Sequence, residues 1–223
     1  YLKKTKDPRI HVYCSLKDGN TEFDKQFGLP NGYDSHTIAD APSGSFVGLE
    51  NTSNFNINTI LRLDAPTIFL MPSETKLLLA EAVLRNWTNG NAEVLYKEAI
   101  TSSMKEQEIA YGTQGKITDE EIETYLAQNL FSTANNTEKL QIIGEQYWVA
   151  TFINGYESYA NWRRTGYPKL IPTNYSGSMS PGVIPTRLPY PTDEYSINRA
   201  NVDTANQQQG ADKVTTHIWW DID

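Results

Sequence analysis

Few residues in this 223-residue sequence have the types and spacing that chemistry requires. Its three histidines, His11, His36 and His217, are far apart. None belongs to an H-E-x-x-H pair, and neither a G-x-S-x-G elbow nor a phosphate-cradling glycine loop occurs. The lone cysteine, Cys14, excludes an internal disulfide framework and a multi-cysteine zinc site. No calcium-loop spacing is present. Glycoside hydrolysis needs two carboxylates facing each other across a sugar bond. Asp119, Glu120 and Glu121 come nearest, but a first helical turn explains them: Thr118 and Glu121 form a capping box, and acidic groups there suit the helix dipole. The expectation is a protein with no catalytic residues, no metal and no cofactor.

A sugar site needs neither acid nor base. It needs aromatic faces for the sugar's C–H surface, with amides and carboxylates for its hydroxyls. Residues 20–60 interleave these types: Phe23, Phe27, Tyr33, Asp34, Phe46, Asn51, Asn54 and Phe55. Tyr33, Asp34, Phe46, Asn54 and Phe55 are the candidate ligand-binding set. The competing reading is that the aromatics anchor a long loop to the body, and for any one of them it is favoured. Trp87 could stack a ligand, but a plug inside a helical hairpin is preferred. Arg163 and Arg164 could hold an anion, but capping of helix carbonyls and the dipole are preferred. His217, beside a tryptophan pair, reads as structural.

The formal charge of −8 disfavours phosphate backbones and anionic lipid surfaces, so no nucleic-acid partner is expected. No apolar run reaches the roughly 18 residues of a membrane span. The chain opens Tyr1-Leu2-Lys3-Lys4, without an apolar signal region, so export or lipidation signals are expected upstream of it. Asn-x-Ser/Thr triplets at Asn51, Asn86, Asn135 and Asn174 reflect an Asn- and Thr-rich composition.

Three regions position these residues. Residues 1–72 lack helical periodicity, and Ile10–Tyr13 and Ile60–Leu63 read as isolated strands. Residues 73–166 are helical. Ser73 caps a helix to about Trp87, with Leu77, Ala80, Glu81 and Leu84 on one face and Leu79 and Val83 beside it. Asn91 caps a second helix to about Lys105, with Leu95, Tyr96, Ala99 and Ile100 inward. A short helix after Thr118 carries Ile122, Tyr125 and Leu126. A long one runs from about Thr137 to Arg164, kinked at Gly155 and ended by Gly166 and Pro168. Residues 167–223 read as coil, with six prolines between Tyr167 and Pro191. At least one of Trp219 and Trp220 should pack back onto the body.

The first two helices have the length of one tetratricopeptide repeat, about 34 residues. Ala92, Tyr96 and Ala99 fit its small-aromatic-small spacing, and Leu79-Ala80 its leucine-then-small pair. Lys76 stands at the usual tryptophan position and Met104 at the closing proline, so the repeat is atypical. The fold class expected is mostly α: tetratricopeptide-like hairpins with long irregular loops and a coil-rich C-terminal segment.

Several segments in series resemble the SusD/RagB-like family of outer-membrane nutrient-binding lipoproteins. They are Asp7-Pro8-Arg9, the hairpin from Glu74 to Met104, Glu157 to Pro168, Gly182 to Tyr195, Asn198, and Trp219-Trp220-Asp221. The resemblance implies a lipid-anchored receptor at the cell outer membrane of Bacteroidetes-type cells. Its helical repeats would sit on a TonB-dependent transporter, and it would hold oligosaccharide, or in some members peptide, for import. It further implies that this chain is the C-terminal portion of one such domain, with the lipid anchor upstream. Against a nutrient-binding subunit stand a repeat-type scaffold, which the aromatic and amide-rich loop disfavours, and an enzyme domain, which the missing constellation disfavours.

Overall fold

The structure, a computed structural model, describes residues 1–221 apart from 35 and 174–178. Its elements are helices α1 (Leu2–Thr5), α2 (Ile10–Tyr13), α3 (Pro72–Leu84), α4 (Ala92–Tyr111), α5 (Asp119–Gln128), α6 (Asn136–Ala150), α7 (Gly155–Thr165), α8 (Thr192–Ile197) and α9 (Arg199–Gln209). Strands β1 (Cys14–Ser15) and β2 (Asn54–Phe55) pair antiparallel. The mostly helical class read from the sequence is the one observed.

Helix ends set by a side chain on its own backbone lie where the sequence places them. Asn91 Oδ1 accepts from the N–H groups of Glu93 and Val94 at 3.0 and 3.2 Å, opening α4. Thr118 and Glu121 bond reciprocally and open α5. Gly166 ends α7 in the left-handed region, at φ 68°.

Ends decided by a distant partner differ. Ser73 does not cap α3. Its hydroxyl and N–H both donate to the Glu106 carboxylate on α4, at 2.6 and 2.9 Å. Pro72 instead occupies the first turn, where its missing N–H costs nothing, and the Glu74 carboxylate accepts from the Met71 N–H at 2.9 Å. Helix α3 stops at Leu84, short of Trp87. Asn86 turns left-handed at φ 59°, Asn86 N–H donates to Val83 O, and Trp87 N–H donates to Ala82 O, which is a Schellman closure. Helix α4 runs past Lys105 to Tyr111, because Glu106 and Gln107 continue its buried face as polar residues. The expected long helix after Thr137 is two helices. Thr151 folds its hydroxyl back onto Tyr147 O at 2.8 Å, and Asn154 caps a new helix by accepting from Glu157 N–H at 3.3 Å.

The hairpin α3–α4 and helices α5 and α6 enclose the core. Leu77, Ala80, Ala99, Ile100 and Met104 are fully buried. Tyr96 is the plug, stacked on Phe131 at 4.5 Å between centroids. Trp87 is not a plug: it is 70% exposed beside the Arg85 guanidinium. Leu79 is 43% exposed, so Leu77 supplies the leucine that packs with Ala80. At Gly144 a Cβ would come within 2.5 Å of the Tyr167 Cβ, so only glycine lets α6 approach the chain after α7 this closely.

The expected strands at Ile10–Tyr13 and Ile60–Leu63 do not form. Asp7 Oδ1 accepts from the Arg9 N–H at 3.0 Å and winds the first segment into α2, while Leu61 N–H folds back to Asn56 O. The C-terminal segment is coil over 167–191 among the described residues, but 192–209 is helical. Helix α9 hides from an apolar-periodicity reading because only Val202 is buried, with Arg199 and Asp203 paired outside at 3.0 Å. Trp220 does pack back: the Arg163 guanidinium lies 4.8 Å from its ring and 4.5 Å from that of Tyr159. Trp219 remains 87% exposed. His217 pairs with Asp221 at 3.3 Å.

The two arginines at the end of α7 reach other segments rather than its carbonyls. Arg163 Nη1 donates to Thr186 O at 2.9 Å. Arg164 grips Glu81 on α3 with two bonds, at 2.7 and 2.6 Å, and Arg85 adds a third at 2.7 Å. Burial raises the Glu81 carboxyl, but its two arginines outweigh that and hold it below the ordinary 4.5. A depressed carboxyl adds stability above its unfolded value and loses it as pH falls through the folded one. Burial moves Glu74 the other way, so its contribution is present in acid and lost as pH rises. Replacing Glu81 with Gln should therefore flatten the loss of stability below about pH 4.5. Urea unfolding of both proteins between neutral and acid pH measures it; parallel pH curves would refute the linkage.

Candidate ligand-binding loop

The chain between β1 and β2, residues 16–53, is an excursion that forms no strand among its described residues and whose ends are tied at two levels. At the base, Asn56 N–H donates to Tyr13 O at 3.0 Å, and its side-chain amide donates to His11 O at 2.8 Å. The buried Thr59 hydroxyl donates to Val12 O at 2.5 Å. Helix α2 thus anchors the returning strand through its own carbonyls. Further out, Ser53 N–H donates to Phe27 O at 2.7 Å, and Phe27 N–H donates to the Ser53 hydroxyl at 2.9 Å. That hydroxyl donates on to Gln26 Oε1 at 2.8 Å. This second tie divides the loop into an inner arm, 16–26, and an outer lobe, 27–53.

The structure splits the five candidate residues between these parts. Tyr33 and Phe46 are half-buried in the outer lobe. Asp34 is there too, its carboxylate accepting from the N–H groups of His36 and Thr37 at 2.8 and 2.9 Å, so one oxygen shapes the following turn. Asn54 and Phe55 form β2 at the base. Asn54 donates to Thr52 O at 3.3 Å, and Phe55 is 51% exposed with its ring edge-on to Phe152 at 5.7 Å. The outer lobe touches the C-terminal segment at Gly32, where a Cβ would meet Thr173 at 2.5 Å.

Two clefts flank the loop. One, of about 320 Å³, lies beneath it, with walls from Tyr13, Phe27, Ser53, Trp148 and Phe152. Tyr13 stacks on Phe152 at 4.5 Å, and Lys3 sits 4.1 Å over the Phe27 ring. The other, of about 590 Å³, lies between the inner arm and α5 and is lined by His11, Phe23, Glu120, Thr124 and Gln128 among others. None of the five candidates lines either. Burial pushes the Cys14 thiol up to about 11, so it is a poor nucleophile at neutral pH. Among the described residues no group of three or more His, Cys, Asp or Glu side chains could hold a metal ion.

A profile of SusD-like proteins, described as Susd and RagB outer membrane lipoprotein, matches residues 1–221. The chain belongs to the SusD-like family. Solved structures agree. A chitin-binding protein is 30% identical over 100% of this chain and 48% of its own, with a TM-score of 0.78. A SusD homologue from Bacteroides fragilis is 26% identical over 99% of this chain and 49% of its own, with a TM-score of 0.80. A chitin-binding SusD homologue from Flavobacterium johnsoniae is 27% identical over 100% and 48%, with a TM-score of 0.73. No curated protein matches. This chain spans about half the length of the structures it matches. No helix among the described residues is long and apolar enough to cross a membrane.

Sequence reasoning missed the residues that fix the loop. Gln26, Asn56 and Thr59 are buried, yet in the sequence they are an amide or hydroxyl among many. Asn56 and Thr59 reach backbone carbonyls 45 and 47 positions away and Gln26 reaches Ser53 27 positions away, which no local pattern encodes. Asp7-Pro8-Arg9 was visible only as a family resemblance, although both charges are completely buried.

Proposed function

We propose that this SusD-like chain is a non-catalytic nutrient-binding part of a cell-surface receptor that captures oligosaccharide. The observation that carries it is the loop at 16–55. It offers aromatic rings, amides and a carboxylate from a base tied by hydrogen bonds of Asn56 and Thr59 to α2. The names of two matched structures, both chitin-binding, support glycan over peptide. Tyr33, Phe46 and Phe55 would present their faces to sugar C–H surfaces. Asp34 and Asn54 would offer a carboxylate and an amide to the sugar's hydroxyls. The family's description as an outer membrane lipoprotein supports a lipid-anchored position at the outer membrane. Delivery to a TonB-dependent transporter is the further step that the resemblance implies.

Calorimetry or affinity gels with chitooligosaccharides, other bacterial, plant and host glycans and a peptide mixture test the reading. Saturable binding of a glycan is expected. Binding of peptides alone would replace it by the peptide-capturing alternative. Failure of every ligand would overturn a site within these residues and favour a docking or scaffold role.

A further inference from the structure

We propose that Gln26 and Ser53 are positioning residues for ligand binding, forming a neck that holds the outer lobe, 27–53, in its binding geometry. The inference rests on the glycan-binding reading above. The neck is small but fully satisfied. Gln26, only 1% exposed, donates its amide to Asn20 O and Glu22 O at 3.0 and 3.2 Å and accepts from the Ser53 hydroxyl. Ser53 completes the tie with two bonds to the Phe27 backbone. Every polar atom of the Gln26 side chain is therefore used: its amide nitrogen fixes the side chain within the inner arm, and its oxygen joins that arm to Ser53.

The position of this tie gives it a role beyond support. Tyr33, Asp34 and Phe46 lie on the lobe side of Ser53, while Asn54 and Phe55 follow it directly in β2. The neck is thus the junction between the two halves of the candidate site. Among its described residues a lobe of this length forms only short 3₁₀ turns, at Ile38–Asp40 and Leu49–Asn51, so it has little regular structure to hold it. Other contacts on it among the described residues include that of Gly32 with Thr173 and the Lys3 ammonium 4.1 Å over the Phe27 ring. Freed at the neck, the lobe would have to be ordered by the ligand, and that entropy would be subtracted from affinity. The helical core should depend on it little, because the neck bonds run between residues of the loop itself.

Ser53→Ala removes the acceptor of Phe27 N–H and the donor to Gln26 together. Weakening of glycan affinity by about tenfold is expected from two such bonds. Thermal unfolding should scarcely move, and amide exchange should quicken within 27–53 only. Ser53→Thr keeps the hydroxyl and should bind within about twofold of the parent. Gln26→Leu should resemble Ser53→Ala. Parent-like affinity in Ser53→Ala and Gln26→Leu, while Tyr33→Ala/Phe55→Ala loses binding, would overturn the neck and leave the glycan reading standing. Affinity retained by all these variants would remove the loop reading and the neck with it. A loss in Ser53→Ala matched by a lower unfolding temperature, and not rescued by Thr, would reduce Ser53 to a structural residue.

Discussion

Arg9→Met is expected to cost the fold about 3–5 kcal/mol, measured by urea unfolding at neutral pH. Arg9 is completely buried, and every part of its guanidinium is engaged. It pairs with the equally buried Asp7, donates from Nη1 to the Ser103 hydroxyl at 2.9 Å and from Nη2 to Gln146 Oε1 at 2.6 Å. Gln146 passes the network on, donating to the hydroxyls of Tyr125 at 2.7 Å and Tyr1 at 3.0 Å. One side chain thereby connects the start of α2 to α4, α5 and α6. Burial alone would lower the Arg9 pKa, but the Asp7 charge and hydrogen bond outweigh it and keep the group firmly protonated. Methionine would leave the Asp7 charge in an apolar interior without a counter-ion, and that unpaired charge supplies most of the cost.

The double variant separates the two components. Asp7→Asn with Arg9→Met removes both charges and should recover part of the loss, since a buried pair is worth far less than the penalty for breaking it. A single-variant cost below about 1 kcal/mol would mean that water reaches the network.

That cluster also marks where the sequence stops being informative. Asn91 and Thr118 were readable because each satisfies amides within three residues of itself. Ser73 and Arg164 carry equally suggestive side chains, but their partners, Glu106 and Glu81, are 33 and 83 positions away. At such separations a hydroxyl that could cap a helix cannot be told from one that docks against another. Helix α9 was hidden for a different reason: a helix burying one valine leaves no apolar stripe. The candidate loop was legible as composition, aromatics alternating with amides. Its geometry was not, because backbone carbonyls of α2 and the side chains of Gln26 and Ser53 set it.

Composition and geometry meet in Tyr33→Ala/Phe55→Ala, for which loss of glycan affinity by about a hundredfold or more is expected. The two rings stand on opposite sides of the neck, one in the outer lobe and one in β2, so the double change removes an aromatic face from each half of the proposed site. Neither ring belongs to a helix or to the buried apolar cluster, so helical circular dichroism should be retained. Phe55 does lose its edge contact with Phe152, worth about 0.5–1.5 kcal/mol, and a small drop in unfolding temperature is compatible with the proposal. Trp87→Ala is the control. Trp87 is more exposed than Phe55 and equally aromatic, but it stands at the turn between α3 and α4, away from the loop. If any exposed aromatic could stack a sugar, the control would weaken binding too. If the loop is the site, only the double variant will. Affinity retained in the double variant but lost in Trp87→Ala would move the site from the loop to the helical hairpin.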